Sequence, residues 1–222
     1  MGRNAALLVF LIGIVAALIA IAKLGPGPAD VPPARAEEDR TLGDPRAPIV
    51  LIEYAAPQCP HCAAFNAEGF PALRRDYVAT RKVFFIFRVY PIGPADFPAE
   101  ALARCLPADK YFAFIDLLYR NQAKWDPENG VHDVQGGLRA LALSAGLDED
   151  RSTACMADAD ERARIAAVAN DAASRFGISG TPTFVINGKV QKAGLPWPAI
   201  KAKLDSLLAG SPAIHAWDGA GH

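Results

Sequence analysis

The tetrad Cys59-Pro60-His61-Cys62 restricts this chain more than any other feature, because it stands where the hydrophobic period changes. Before it, Ile49-Val50-Leu51-Ile52-Glu53-Tyr54 is a short β-branched run that predicts a buried strand. From about Cys59 to Tyr77 the apolar spacing is helical, and Pro71 predicts a kink. Two cysteines three apart at the start of a helix bring their sulfurs within disulfide reach across one turn. The unpaired amides and positive dipole of a helix N-terminus favour an anion on Cys59. His61, protonated or as a hydrogen-bond donor, adds to that preference. Cys62, one turn further in, is then the less exposed, resolving thiol. Two other readings compete: a zinc half-site and a pair of inert buried cysteines. Zinc needs about four ligands, and the chain has no second C-x-x-C and no paired histidines.

Lys82 to Tyr90, with Val-Phe-Phe-Ile-Phe-Arg-Val in its body, predicts a second strand. The helix between the two strands is long enough to let them run parallel. From Pro94 to about Met156 the pattern is helical: 99–106, 110–122 and 133–145 carry apolar residues at three- and four-residue spacing. An alanine-rich helix follows over 158–176, stopped by Gly177. Pro182–Ile186 predicts a strand, Asn187-Gly188 a hairpin turn, Lys189–Ala193 its antiparallel return and Pro196–Leu208 a closing helix. The fold class this order predicts is α/β: a thioredoxin-like domain over 41–92 and 158–209, interrupted by an inserted α-helical subdomain over 93–157.

The N-terminus sets the expected compartment. Arg3 precedes Ala5–Ala22, an apolar run of 18 broken only by Gly13. Residues 1–24 therefore read as a signal anchor or a signal peptide. Spanning length favours an anchor, and the small-x-small site Ala34-Arg35-Ala36 favours cleavage. Residues 25–40 read as a Pro/Gly-rich linker, and 210–222 as a flexible polar tail. Arg3 stays inside, so the bulk of the chain is exported to a disulfide-permissive compartment. The predicted location is the periplasm, inner-membrane anchored or soluble after cleavage.

Cys59-Pro60-His61-Cys62 after a strand ending Glu-Tyr, a helical insert, and Gly180-Thr181-Pro182-Thr183-Phe184 resemble the DsbA family of exported thiol-disulfide oxidoreductases. Gly43-Asp44-Pro45, Ala47-Pro48 and Gly177 to Gly188 match one bacterial branch of it, and the resemblance spans about Thr41 to Leu208. It implies that Pro182 is cis, with its loop facing the active disulfide and the Thr181 backbone offered to a substrate peptide. Thr181 departs from the valine common in the best-known member, which bears on redox tuning and substrate preference. Glu53, an acid inside an apolar strand six residues before Cys59, is costly unless paired or protonated. Burial would raise its pKa and suit it to proton exchange with Cys62; a solvent-reaching or salt-bridged glutamate is the other reading. The resemblance supports the first, since the family has an acid at this offset.

Cys105 and Cys155 sit near the two ends of the insert. In an exported protein a structural disulfide clamping the insert is the first reading, and two separate buried thiols the second. Some members of the resembled family carry a second disulfide. The predicted activity is that of an enzyme which donates its Cys59–Cys62 disulfide to folding proteins through a mixed disulfide. The alternatives are an isomerase or reductase, or a thiol-based metal-binding or chaperone module. No cofactor beyond that disulfide, and no metal, is expected. The resemblance implies as partners reduced or unfolded exported proteins and a quinone-linked membrane reoxidase of the DsbB type. A formal charge of −1 provides no basic stripe for nucleic acid, and a monomer is expected. Phe65, Phe97, Tyr111 and Phe112 are read as core first and groove second, Arg74 and Arg75 as solvated faces.

Overall fold

A computed structural model describes residues 39–210. The signal segment 1–24, most of the linker and the tail 211–222 lie outside the described residues. Among the described residues no helix is long and apolar enough to cross a membrane.

Two apolar runs make the centre of a five-stranded sheet. β2 (Ile49–Ala55) and β3 (Val83–Val89) pair in parallel, with Glu53 opposite Phe87. β1 (Arg40–Leu42) lies antiparallel outside β3, and β4 (Thr183–Ile186) antiparallel on the other side of β2. β5 (Lys189–Val190) closes the order β1-β3-β2-β4-β5. Alternation along β2 sends Leu51, Glu53 and Ala55 to one face, and Ile52 and Tyr54 to the other. All five are buried, so both faces of the sheet are covered.

α1 (Pro60–Glu68), α2 (Phe70–Leu73) and a π-helical turn (Arg74–Val78) connect β2 to β3. This corrects the single kinked helix expected over 59–77. The break falls at Gly69 rather than Pro71. A Cβ on Gly69 would stand 2.8 Å from the Phe65 ring and 2.9 Å from Trp197 Cβ, so only glycine allows the contact. Pro71 sits in the first turn of α2, where its missing N–H costs nothing.

Between β3 and β4 come α3 (Asp96–Cys105), α4 (Tyr111–Arg120), α5 (Gln122–Trp125), α6 (Val134–Ser144), α7 (Glu149–Met156) and α8 (Ala159–Phe176). α9 (Trp197–Gly210) closes the described chain. Asp133, Asp148 and Asp158 cap α6, α7 and α8, each accepting a backbone N–H three residues on. Gly177, at φ +64°, ends α8 as expected.

Two further differences lie at the sheet's edges. Arg40, read as linker, starts β1; three residues with one apolar side chain carry no strand period. β5 is two residues long rather than five. Arg88 reaches from β3 to Asp39 in a bidentate pair at 2.8 and 2.7 Å, and this half-buried pair holds the chain just before β1.

Candidate active site

The end of β2 and the start of α1 place the two cysteines. Cys59 is the N-cap of α1, with extended backbone (φ −74°, ψ 117°), and its Sγ accepts the Cys62 backbone N–H at 3.3 Å. Pro60 occupies the first turn, where proline pre-sets the helix. Both cysteines are free thiols and both are buried, Cys62 completely.

The loop before β4 faces them. The Thr181–Pro182 peptide is cis, and the Thr181 carbonyl accepts from the Cys59 thiol at 3.4 Å. Thr183 Oγ1 donates to the Gly180 carbonyl at 2.6 Å, tying the loop back on itself.

The two thiols are driven apart electrostatically. Cys59 is lowered to about 6, first by its hydrogen bond with the Cys62 side chain and, against burial, by the Thr181 side chain and the backbone N–H groups of Cys62 and His61. Cys62 is pushed well above the ordinary thiol value, first by burial, then by its hydrogen bond with Cys59 and the charges of Cys59 and Glu53. His61 thus helps through its backbone N–H, and its imidazole stands exposed at the surface. The sequence reading placed that help in the imidazole.

Glu53 is 3% exposed, which removes the solvent-reaching alternative. Its register partners in the sheet are Phe87 on one side and Phe184 on the other, so aromatic side chains share its face. Burial first, then the charge of Cys59, raises its carboxyl well above the usual range. An acid held neutral beside a thiol pair can give or take the proton of the buried sulfur.

A second set of residues holds the approach to Cys59, and sequence reasoning missed it. Asp96, buried at the start of α3, accepts backbone N–H groups from Gln58 (2.7 Å), Ile92 (2.8 Å) and Gly93 (3.0 Å). Gln58 Oε1 accepts from Ala95 N–H at 3.1 Å, and its Nε2 donates to Asp126 Oδ1 at 2.8 Å. Gln122 Nε2 donates to the Pro57 carbonyl at 2.8 Å. The helical insert therefore grips Pro57-Gln58 directly. The available signal was a polar Gln58 between Pro57 and Cys59, in a segment otherwise built to be buried.

Asp96→Ala would orphan the buried Gln58 N–H, at a cost of about 1–3 kcal/mol, and leave the partly buried Ile92 and Gly93 N–H groups to water. The expected loss is about 2 kcal/mol in a urea melt, with Asp96→Asn intermediate. A loss under about 1 kcal/mol would mean the loop holds its shape without this carboxylate.

Phe65, Tyr111 and Phe112 pack within or against the core; Phe65 meets Phe184 edge-on at 4.8 Å. Phe97 also packs against the core and lines a shallow cleft with Pro91, Ile92, Gly93 and Asn170, under the Arg162 guanidinium at 4.8 Å. Arg75 pairs with Asp76 at the exposed surface, and Arg74 lies over the Phe70 ring. Cys105 and Cys155 are joined in a disulfide that links the end of α3 to α7, Cα to Cα 6.3 Å. Among the described residues no group of three or more His, Cys, Asp or Glu side chains could hold a metal ion.

A thioredoxin family model matches residues 35–206. The solved structure of Wolbachia pipientis α-DsbA1 is similar at 29% identity, covering 77% of this chain and 91% of that one, with a TM-score of 0.69. This chain is a DsbA-like member of the thioredoxin family. A Rickettsia bellii protein whose name proposes protein-disulfide oxidoreductase activity is 29% identical over 173 residues, 78% of this chain and 65% of that one. Disulfide bond formation protein D of Bacillus subtilis is 25% identical over 181 residues, 76% of this chain and 77% of that one. The chain spans less than two thirds of the length of the Rickettsia relative. The DsbA-like family is exported, and its members exchange disulfides with substrate proteins and a reoxidising partner.

The lowered Cys59 makes a pH dependence that belongs to the dithiol form of this DsbA-like chain alone. Its folded pKa lies below the unfolded value of about 9. The stabilisation is therefore complete above pH 9, declines as pH falls, and is gone below pH 6. Three units amount to about 4 kcal/mol at the top of that window, and about 1.4 kcal/mol survives at pH 7. The difference in unfolding free energy between reduced wild type and reduced Cys59→Ala should grow by about 3 kcal/mol from pH 6 to 9. A flat difference would refute the assigned thiolate.

Proposed function

We propose that the chain is an exported protein thiol-disulfide oxidoreductase which oxidises reduced proteins with its Cys59–Cys62 disulfide. The observation that carries this reading is the asymmetry of the pair: Cys59 is lowered to about 6 beside the Thr181–Pro182 loop, and Cys62 is raised and fully buried. A substrate thiolate attacks Cys59 Sγ, the Cys59–Cys62 bond breaks, and Cys62 takes the electron pair. Glu53 supplies the proton that the buried Cys62 needs. A second substrate thiol then attacks the mixed disulfide and releases Cys59 as a thiolate. The protein leaves as a dithiol, and a quinone-linked membrane reoxidase of the DsbB type restores the disulfide. Reduced or unfolded exported proteins are the substrates, and the chain acts as a monomer. The Thr181–Pro182 loop receives the substrate backbone.

A stabilised thiolate favours the reduced form and so makes the disulfide an oxidant. At pH 7 the Cys59 value contributes about 1.4 kcal/mol, or about 30 mV. That modest share keeps a reductase reading in play, since thioredoxin's own thiol lies near 7. Equilibration of the 59–62 pair with glutathione, alongside oxidation of a reduced dithiol peptide, separates the two. An oxidase has a potential well above thioredoxin's, about −270 mV; a value near that figure would overturn the proposal.

A further inference from the structure

The turn that delivers Cys59 to its helix is held from the helical insert. Cys59 N–H donates to the Ala56 carbonyl at 3.0 Å, closing a turn with Pro57 and Gln58 at its centre. Pro57 presets the backbone at the first central position. Gln58, at the second, is joined directly to Cys59 and is 4% exposed. A glutamine so buried must place both ends of its amide in hydrogen bonds.

Both ends are used, and both by residues between β3 and α6. Oε1 accepts from Ala95 N–H at 3.1 Å, and Nε2 donates to Asp126 Oδ1 at 2.8 Å. The Asp126 carboxylate is itself fixed, since it also accepts the Glu128 N–H at 3.0 Å. Gly93 makes room for the amide: a Cβ there would stand 2.5 Å from Gln58 Oε1. Gly93 is not among the glycines with positive φ, so the close approach, and not the backbone, calls for glycine. Glutamine suits the slot because it is a donor and an acceptor without charge. A glutamate would set a second carboxylate against Asp126, and a lysine would offer Ala95 N–H no acceptor.

We propose that Gln58 is a positioning residue: its amide, clamped between Ala95 and Asp126 against Gly93, holds the 56–59 turn so that Cys59 Sγ stays on the N–H groups of α1. The inference rests on the exchange reading above. Gln58 touches no reacting atom and acts through the backbone of Cys59. The planar peptide between them passes the orientation of residue 58 to the cap, where Sγ accepts Cys62 N–H at 3.3 Å. When the second substrate sulfur bonds to the first, the bond to Cys59 breaks and its electron pair settles on Cys59 Sγ. A sulfur already seated on N–H groups takes that charge without reorganisation. The insert is then part of the redox centre, because 93–126 supplies the clamp.

Gln58→Met keeps the length of the side chain and removes the amide. Ultraviolet absorbance titrates the Cys59 thiolate in the reduced protein. Its midpoint near 6 should rise by about one unit, the order of one hydrogen bond to a charged group. The glutathione equilibrium of the 59–62 pair at pH 7 should shift about fivefold toward the disulfide, because the same thiolate stabilises the dithiol form. Gly93→Ala keeps every hydrogen-bonding group and crowds Oε1, and should move both readouts in the same direction. Tyr111→Phe breaks a 2.7 Å hydrogen bond to Glu100 inside the insert without touching the turn, and should leave the midpoint in place. An unchanged midpoint in folded Gln58→Met overturns the inference, however far the melting temperature falls. If that variant does not fold, an unchanged midpoint in Gly93→Ala overturns it. Wild-type protein that fails to oxidise a reduced dithiol peptide overturns the exchange reading instead, because the titration needs no substrate.

Discussion

Cys59→Ser should abolish oxidation of a reduced peptide, a loss of about a thousandfold or more. No other side chain can take the place of its sulfur. Cys59 is the thiol whose environment favours the anion and whose neighbour is the Thr181–Pro182 loop. Cys62→Ser should behave differently, because Cys59 keeps its backbone N–H donor at position 62. With no second thiol to displace the substrate, that variant should collect a mixed disulfide at Cys59, visible as a mass adduct removed by reductant. If Cys62→Ser stayed free of adducts while Cys59→Ser formed them, the two roles would be reversed.

The second large effect is on stability. Replacing Cys105 and Cys155 together by alanine opens a loop with a sequence separation of 50. In the chain-entropy view the closed loop restricts the unfolded chain, and a loop of this length is worth about 4 kcal/mol. Cys155 is buried against the core and Cys105 is packed beside it, so lost packing adds to the entropic part. The midpoint of urea unfolding should fall accordingly for protein whose Cys59–Cys62 pair is held in one redox state. A double variant as stable as wild type would show that the clamp closes on a chain already held. The Arg104–Glu161 pair at 3.2 Å and the Arg164–Glu100 pair at 3.4 Å tie α3 to α8 and are the candidates for that hold.

What the sequence made legible was local. Cys59, Cys62 and Glu53 stood out because each breaks the pattern of the segment around it: two thiols at a change of period, one acid in an apolar strand. The parallel pairing of β2 and β3 followed from two apolar runs and a connection of sufficient length. The grip on Pro57-Gln58 was not legible, because Asp96 and Asp126 lie 38 and 68 residues from Gln58 in the chain. Asp96 reads in sequence as an ordinary first-turn acid of a helix. Gly69 was readable as a helix breaker, but its real cause is the approach of Trp197 from the far end of the chain.

The brevity of β5 has a consequence under the proposed exchange with unfolded polypeptides. Its two residues, Lys189 and Val190, form the outer edge of the sheet beyond β4. A long flat edge would template strand addition and recruit client chains into aggregates. Two exposed residues, one of them a lysine and with Lys192 close behind, give an incoming strand almost nothing to register against. Under the proposed function, clients held at the Thr181–Pro182 loop for one sulfur exchange would be let go without the sheet itself becoming a nucleus for their misfolding.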